Sequence, residues 1–180
     1  MLIRAAETDG DYEAVGMLIR EYVAWCRSRY RELPGVMDMA FSHQSIEQEL
    51  AGLATAYGPP AGKTLVAVED GAVLGCVAYR VLSAGTCEMK RLFVPERFHG
   101  RGIGRRLASA IVTEAERDGF TLMRLDTGHL FTEAQRLHRS IGFADCAPYH
   151  DYPPELTGIL VFMEMALPRR PALALTRREG

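Results

Sequence analysis

The sequence predicts an α/β (α+β) domain in which a mixed β-sheet is flanked by helices. Apolar residues recur at helical spacing in some segments and concentrate in short β-rich runs in others, and one such run leads through a glycine-rich loop into a helical segment. The 180 residues, 48% of them hydrophobic, suffice for one full core. We therefore expect one domain over residues 1–168 and a short tail over residues 169–180.

Two amphipathic helices are expected before the main sheet. The first begins after Thr8, which stands three residues before Asp11 in the spacing of a capping box. After a loop at residues 33–35, a second helix begins with Ser45 as its cap and ends at the glycine-proline turn of residues 58–60. Both helices therefore precede the strands that form the sheet.

The sheet itself is expected from β-rich runs that turn residues separate. An Asp-Gly pair at residues 70–71 joins the first two runs as a hairpin. Helical segments follow the third and fourth runs and end near Gly119 and Gly142. The runs cover residues 65–68, 73–81, 87–94, 121–125 and 159–165.

Composition and charge argue against several classes of protein. A net charge of −2, from 21 Lys plus Arg and 23 Asp plus Glu, disfavours a nucleic-acid partner. No uncharged apolar stretch approaches the roughly 20 residues that span a bilayer, and early acidic residues interrupt any secretory signal, so we expect no membrane association and a cytoplasmic location. The cysteines and histidines lack the spacing of metal ligands or of a disulfide framework, so we expect neither.

A glycine-rich basic loop is the most informative segment. Residues 90–106 hold six basic residues and one acid, a local charge of +5. Glycines let an anion approach the backbone, and a helix N-terminus offers unpaired N–H groups, so a phosphate or pyrophosphate is the expected guest. Because Arg105 follows Gly104, the loop lacks the Gly-Lys-Ser/Thr ending of a P-loop, and its glycine spacing does not fit the dinucleotide fingerprint.

Three segments in combination carry a family resemblance. MKRLFV at residues 89–94, HGRGIGRRL at residues 99–107 and QRLHRSIGF at residues 135–143 closely resemble the acetyl-CoA-binding core of the GNAT superfamily of N-acetyltransferases. The order of the flanking elements extends the resemblance over about residues 2–167. It implies that the mixed central sheet splays at the strand that ends at residue 94.

The resemblance also implies a cofactor site for acetyl-CoA. The strand backbone would bind the pantetheine arm like a neighbouring strand, the loop would hold the pyrophosphate through backbone N–H groups, and Arg136 or Arg139 would reach the ribose phosphate. The expected cofactor-binding residues are Leu92, Phe93, Val94, His99, Gly100, Arg101, Gly102, Ile103, Gly104 and Arg105.

Acetyl transfer to an amine needs a base for the ammonium and a proton source for the departing thiolate. Glu88 is the expected base, with Asp126 as second choice, although a strand-end glutamate that only pairs with Lys90 or Arg91 has the same pattern. His138 occupies the position of the family's thiolate-protonating tyrosine, and it either serves as that acid or only packs. Tyr149 is an alternative replacement for that tyrosine.

The implied function is transfer of an acetyl group from acetyl-CoA to a primary amine of a small molecule or peptide by direct attack. Two departures, His138 and Phe131 in place of a common asparagine, motivate the alternative of a catalytically weak acyl-CoA-binding or sensor protein. The acceptor pocket is expected at the loop of Tyr149, His150 and Tyr152. Relatives commonly form homodimers. The first helix adds three aromatics that line this pocket or belong to the core: Tyr22, Trp25 and Tyr30.

Overall fold

A computed structural model describes residues 1–43 and 46–168 and contains one seven-stranded mixed sheet with the order β1-β2-β3-β4-β5-β7-β6. The strands are β1 Leu2–Ala5, β2 Gly62–Glu69, β3 Ala72–Ser83, β4 Thr86–Phe93, β5 Leu122–Gly128, β6 Ala144–Asp145 and β7 Leu160–Ala166. The helices are α1 Asp9–Arg29, α2 Pro34–His43, α3 Ile46–Ala51, α4 Leu53–Tyr57, α5 Ile103–Arg117, α6 Thr132–Ser140 and α7 Pro154–Thr157, and a 3-10 turn spans Glu96–Phe98.

The sheet splays between β4 and β5, as the resemblance implied. These strands are parallel and pair only through Thr86–Glu88 and Leu122–Arg124. Beyond this ladder β4 stays with β3, whereas β5 pairs with β7 along its whole length. One edge of residues 89–93 therefore has no strand partner, and a cleft opens between the two strands.

Helices cover both faces of the sheet. Alternate residues of β2 and β3 belong to two separate hydrophobic clusters, one built on α1 and one built on α5. Since successive side chains of a strand point to opposite faces, α1 and α5 lie on opposite sides of the sheet. The apolar residues of α5 that pack on its side are Leu107, Ala108, Ile111 and Ala115.

The start of α1 confirms the capping prediction. The Thr8 hydroxyl accepts the Asp11 N–H at 3.1 Å, and Asp11 Oδ2 accepts the Thr8 N–H at the same distance. Arg4 adds two charge-assisted bonds to the Asp11 carboxylate, at 2.7 and 2.9 Å. These bonds lower the pKa of Asp11 well below its usual range. The cap thereby links α1 to strand β1.

The N-terminal region differs from the expected two helices. β1 was not foreseen, and α2 begins where a loop was expected, because a Pro-Gly pair fits the first positions of a helix as well as a turn. The expected second helix is divided at Gly52, whose φ of −139° and ψ of 40° are not helical. Its predicted cap, Ser45, and the tail over residues 169–180 lie outside the described residues.

The remaining elements largely match the expected order. The hairpin turn adopts positive φ at Asp70 and Gly71, 50° and 78°. Short β6 and α7 were not foreseen, since two and four residues carry too little periodicity to be recognised. In the part of the chain that the structure describes, no helix is both long and apolar enough to cross a bilayer.

Candidate functional site

A cavity of about 390 Å³ passes through the splayed sheet. Its walls come from both faces, because residues of α1 and residues of α5 and α6 line it together. Leu125 and Asp126 of β5 form one side of the cleft, opposite β4. Eight of the expected cofactor residues line it: Leu92, Phe93, Val94, His99, Gly100, Gly102, Ile103 and Gly104.

The glycine loop brings backbone rather than side chains to one end of this cavity. Gly100 and Gly102 adopt φ of 77° and 72°, which only glycine adopts without strain. Open space lies where a Cβ would stand at either position. Gly102 caps α5, and the first N–H groups of a helix have no intrahelical partner. The cavity therefore ends in free donors and the positive end of a helix dipole.

The basic side chains near the loop are engaged elsewhere. Arg101 pairs with Glu69 at 2.5 Å, Arg97 with Glu21 at 2.6 Å, and Arg105 donates to the Ser140 hydroxyl. Neither Arg101 nor Arg105 lines the cavity. The sequence predicted that these charges bind an anionic ligand. In the structure, carboxylates of β2 and α1 pair with Arg101 and Arg97 instead.

One of the two arginines expected to reach the ribose phosphate is already bound to another residue. Arg139 holds both carboxylate oxygens of Asp145 at 2.9 Å. Of the two proposed arginines, only Arg136 has no hydrogen bond or ion pair to another described residue. Arg136 thus remains the better of the two predictions for a phosphate at this end of the cavity.

His138 lies in the cavity wall on α6 and is almost fully buried. Its Nδ1 has no hydrogen-bond partner among the described residues, and its ring packs edge-on against Phe143. Burial lowers the pKa of His138 to about 4. The imidazole is therefore neutral near pH 7, and its unpaired Nδ1 is buried.

An aromatic wall closes the cavity from the α1 side. Trp25 stacks near Phe131 with ring centroids 4.7 Å apart and donates its indole N–H to Glu96 at 2.8 Å. Tyr22 lines the same wall. Tyr30 instead belongs to the core, where its hydroxyl accepts the Leu130 N–H. Two of the three aromatics left open by the sequence thus face the cavity.

A β-bulge in β4 forms the point where the cleft opens. Cys76 pairs with Phe93 while Ala78 pairs with Lys90, so β4 carries one extra residue here. Arg91, inside the bulge, adopts φ of 56°. Its buried guanidinium makes two 2.5 Å bonds to Glu49 of α3, which hold the bulge in place. No pattern in the sequence predicts this pair.

Glu88 lies on the α1 face, because its neighbours Cys87 and Met89 pack on the α5 face. It is completely buried, and both of its oxygens are bound. Arg80 Nε donates to Oε2 at 2.6 Å, while Oε1 accepts the Tyr149 hydroxyl at 3.0 Å and contacts His150 Nε2 at 2.7 Å. Desolvation opposes ionisation, but Lys90, His150 and Arg80 outweigh it and lower the pKa of Glu88.

These contacts show which cations pair with Glu88 and where Tyr149 lies. Glu88 does pair with cations, but with Arg80 and, at 3.8 Å, Lys90; Arg91 pairs with Glu49 instead. Tyr149 does not line the cavity of about 390 Å³. Its hydroxyl is bound to Glu88. Burial raises the pKa of the Tyr149 phenol, which makes it a weak acid.

A second, polar cavity of about 180 Å³ adjoins this cluster. Lys90 and Arg91 line both cavities, so the two meet at the bulge of β4. Asp126 stands at the same junction, where it lines the larger cavity and accepts Lys90 Nζ at 3.2 Å and the Tyr152 hydroxyl at 3.1 Å. The polar cavity is lined by Glu49, Arg80, Lys90, Arg91, His150, Asp151 and Tyr152.

Three potential metal ligands meet here, which the sequence spacing did not suggest. Glu88, Asp126 and His150 each place one ligand atom within 4.8 Å of the others. Lys90 and Arg80 already supply positive charge to these carboxylates. The cluster therefore has the composition of a balanced ion-pair network, and the expectation of no metal stays a prediction.

A splayed mixed sheet whose cleft ends at a glycine-capped helix is the arrangement that the resemblance to the N-acetyltransferases implies. The model of the acetyltransferase (GNAT) family matches residues 19–143, more than half of the chain. An uncharacterised N-acetyltransferase of Schizosaccharomyces pombe is 37% identical over 153 residues, which cover 84% of this chain and 87% of that protein. This chain belongs to the GNAT family of acetyltransferases.

Two further similarities are informative. The IAA acetyltransferase of Azospirillum brasilense is 38% identical over 104 residues, which cover 57% of this chain and 67% of that protein. The structure of yncA from Salmonella typhimurium with its cofactor acetyl-CoA matches with a TM-score of 0.63 over 96% of each chain at 22% identity. The latter likeness concerns the fold alone.

Proposed function

We propose that this protein transfers the acetyl group of acetyl-CoA to a primary amine of a small molecule or peptide by direct attack. The observation that carries the proposal is the cavity through the splayed sheet, which joins a glycine-capped helix N-terminus to an unpaired strand edge. A pyrophosphate suits the helix N-terminus, and the amides of a pantetheine arm suit the unpaired strand edge. The cytoplasmic location and the possible homodimer stay predictions.

The cofactor-binding residues divide into two groups by the part of acetyl-CoA they would hold. The backbone of Leu92, Phe93 and Val94 would bind the pantetheine arm along the open edge of β4. The backbone of residues 99–105 would bind the pyrophosphate, so that Arg101 and Arg105 contribute N–H groups and not their engaged side chains. The acetyl end would then lie near the bulge, where the two cavities meet.

The acceptor would approach from the α1 face of the sheet, through the polar cavity. The polar cavity lies on the face of Glu88 and reaches the cofactor cavity at Lys90 and Arg91. A neutral amine entering there would attack the thioester carbonyl carbon. The new C–N bond forms, the C–S bond breaks, and the sulfur leaves as a thiolate that takes up a proton.

His138 lies on the cofactor side of this reaction. The residue lines the cavity and its imidazole is neutral, but its unpaired Nδ1 is buried and has no surface open to the cavity. A group with a pKa of about 4 holds few protons near pH 7, which limits it as an acid. The low pKa therefore argues against proton transfer from His138, and it agrees with the weakly catalytic alternative that His138 and Phe131 motivate.

Calorimetric titration with acetyl-CoA, CoA and ATP tests the cofactor assignment. We expect micromolar binding of acetyl-CoA and CoA and much weaker binding of ATP, which lacks a pantetheine arm. A panel of primary amines, followed by thiol release, then tests turnover. Absence of acetyl-CoA binding by the folded protein would overturn the proposal, and binding without turnover of any amine would favour an acyl-CoA sensor.

A further inference from the structure

The polar cavity contains a histidine whose ring is oriented by a buried carboxylate. His150 Nε2 lies 2.7 Å from Glu88 Oε1, and the imidazole lines the cavity. No described residue is hydrogen-bonded to its Nδ1. If Nε2 carries the proton that Glu88 accepts, Nδ1 is a free proton acceptor in the place where the acceptor amine would enter.

Glu88 itself is not placed to contact an amine. Its side chain has no exposed surface, and Arg80, Tyr149 and His150 occupy both oxygens. A direct base must come within hydrogen-bond reach of the proton that it removes. Any base function of Glu88 must therefore pass through one of the groups bound to it, and His150 is the one that accepts protons.

We propose that His150 removes the proton from the acceptor ammonium and that Glu88 is its positioning residue. This inference rests on the proposed acetyl transfer. The ammonium proton goes to His150 Nδ1, and the carboxylate of Glu88 stabilises the imidazolium that forms. The freed amine lone pair then makes the C–N bond as the C–S bond breaks, and the second proton that the nitrogen loses goes to the departing thiolate, which leaves as the thiol of CoA.

Charged groups from three strands and the histidine's own loop face this imidazole. The Glu88 carboxylate orients the ring and offsets the charge of the imidazolium that forms, so its removal should impair proton transfer to His150. The groups concerned are Arg80 on β3, Glu88 and Lys90 on β4, Asp126 on β5, and Tyr149 and Tyr152 beside it.

Substitution of His150 tests the inference. For His150→Gln we expect kcat to fall by at least about 100-fold, within the range of a lost general base. The acidic limb of the wild-type kcat profile should disappear, while the Kd for acetyl-CoA stays within about twofold, since His150 lies outside the cofactor cavity. His129→Gln is the matched control, because that imidazole bonds to the Ile159 carbonyl, away from both cavities.

Glu88→Gln separates positioning from packing. The amide keeps the shape but loses the charge, so we expect lower kcat and an acidic limb displaced to lower pH. Glu88→Asp, which keeps the charge, should restore part of the displacement if the glutamine variant folds poorly. A merely structural role would change expression and melting temperature but leave the pH profile in place.

The outcomes distinguish this inference from the proposed function. An active wild type whose His150→Gln variant keeps both kcat and the pH profile would overturn only the assignment of His150. A folded wild type that binds acetyl-CoA but acetylates no amine would overturn the acetyl-transfer proposal and this inference together. Loss of the acidic limb in His150→Gln and its retention in His129→Gln would establish the assignment.

Arg80 carries a second inference about the acceptor, which also rests on the proposed acetyl transfer. Its Nε is bound to Glu88, but its two terminal nitrogens have no acceptor among the described residues. The other cations of the polar cavity are already paired, Lys90 with Asp126 and Arg91 with Glu49. A planar guanidinium fork fits a carboxylate. The geometry points to an acceptor amine that also carries a carboxylate.

Matched substrates test this second inference. We expect kcat/KM to be at least about tenfold higher for L-amino acids than for their amides, mainly through KM, because the amide lacks the charge. Arg80→Gln should abolish this ratio, whereas Arg117→Gln, whose partner is Glu114 on α5, should keep it. Equal kcat/KM for acids and amides in the wild type would overturn the assignment.

Discussion

The two cavities that meet at the β4 bulge are built from different materials. The larger one ends at a helix N-terminus whose shape depends on backbone conformation, at glycines with positive φ before α5. The smaller one is lined by polar side chains, and its cations pair with carboxylates within the cavity or beside it, at Glu88, Asp126 and Glu49. The first geometry tolerates changes of side chain. The second depends on each partner, because removal of one leaves a buried charge uncompensated.

The largest expected effect breaks the side-chain network. Glu49→Gln would leave the Arg91 guanidinium buried without its counter-charge, and we expect a loss of stability on the order of 3–5 kcal/mol. Acetyl-CoA affinity should also fall, because the ion pair holds the bulge. Denaturant unfolding and calorimetry measure both.

A matched control for this change lies on the same helix. Glu47 of α3 is exposed, so Glu47→Gln should change stability by less than about 0.5 kcal/mol. Equal effects of the two substitutions would mean that the Arg91 pair does not hold the bulge.

Acid should weaken the wall of the cofactor cavity through His138. Its folded pKa is about 4, below the unfolded value of about 6.5, so the unfolded chain binds the proton first as pH falls. The contribution is absent above about pH 6.5, and stability is then lost down to about pH 4, by about 3 kcal/mol in total. Unfolding free energies measured between pH 7 and 4 give this slope.

His138→Phe provides the comparison for that slope. The variant has no imidazole to protonate, so its stability should vary less over this pH range, whatever its absolute value. Glu88 and Asp11, whose pKa values are lowered, lose their contribution only below about pH 4.3 and 3.9, where their unfolded carboxyls take up protons. An unchanged slope in His138→Phe would show that another group controls this range.

A substitution in the glycine loop should weaken cofactor binding directly. Gly102→Glu places a side chain and a negative charge at a position with φ of 72°, facing the expected pyrophosphate. We expect the Kd for acetyl-CoA to rise by about 100-fold, equivalent to about 2.7 kcal/mol. Isothermal titration calorimetry measures this change.

Gly71→Glu separates backbone strain from the loss of the cofactor site. Gly71 has φ of 78° and open space around it, as Gly102 has, but it lies in the β2–β3 turn. The Gly71→Glu variant should lose about as much stability as Gly102→Glu and keep its affinity for acetyl-CoA. Equal loss of affinity in both variants would place the pyrophosphate elsewhere.

The smallest effect tests a feature remote from both cavities. Thr8→Ala removes one side-chain cap of α1 and should cost about 1 kcal/mol of stability. The Kd for acetyl-CoA should not change, because Thr8 lines neither cavity. Thermal unfolding and calorimetry check the two parts, and a weaker Kd would show that the start of α1 is coupled to the site.

The sequence by itself determined the features that neighbouring residues control. The capping box of α1, the Asp-Gly turn and the glycine-capped start of α5 each need particular residues within a few positions. Their hydrogen bonds and φ angles are satisfied locally, so the pattern is readable without the fold. The proposed cofactor site was predicted from the same segments through their resemblance to the family.

Only the tertiary structure decided what the charged residues do. Glu88 meets His150, 62 positions away, and Arg91 meets Glu49, 42 positions away. The arginines near the loop, which looked like anion ligands, are held by Glu21 and Glu69. A charge has no directional preference along the chain, so its partner is whichever opposite charge the strand order brings within a few ångströms.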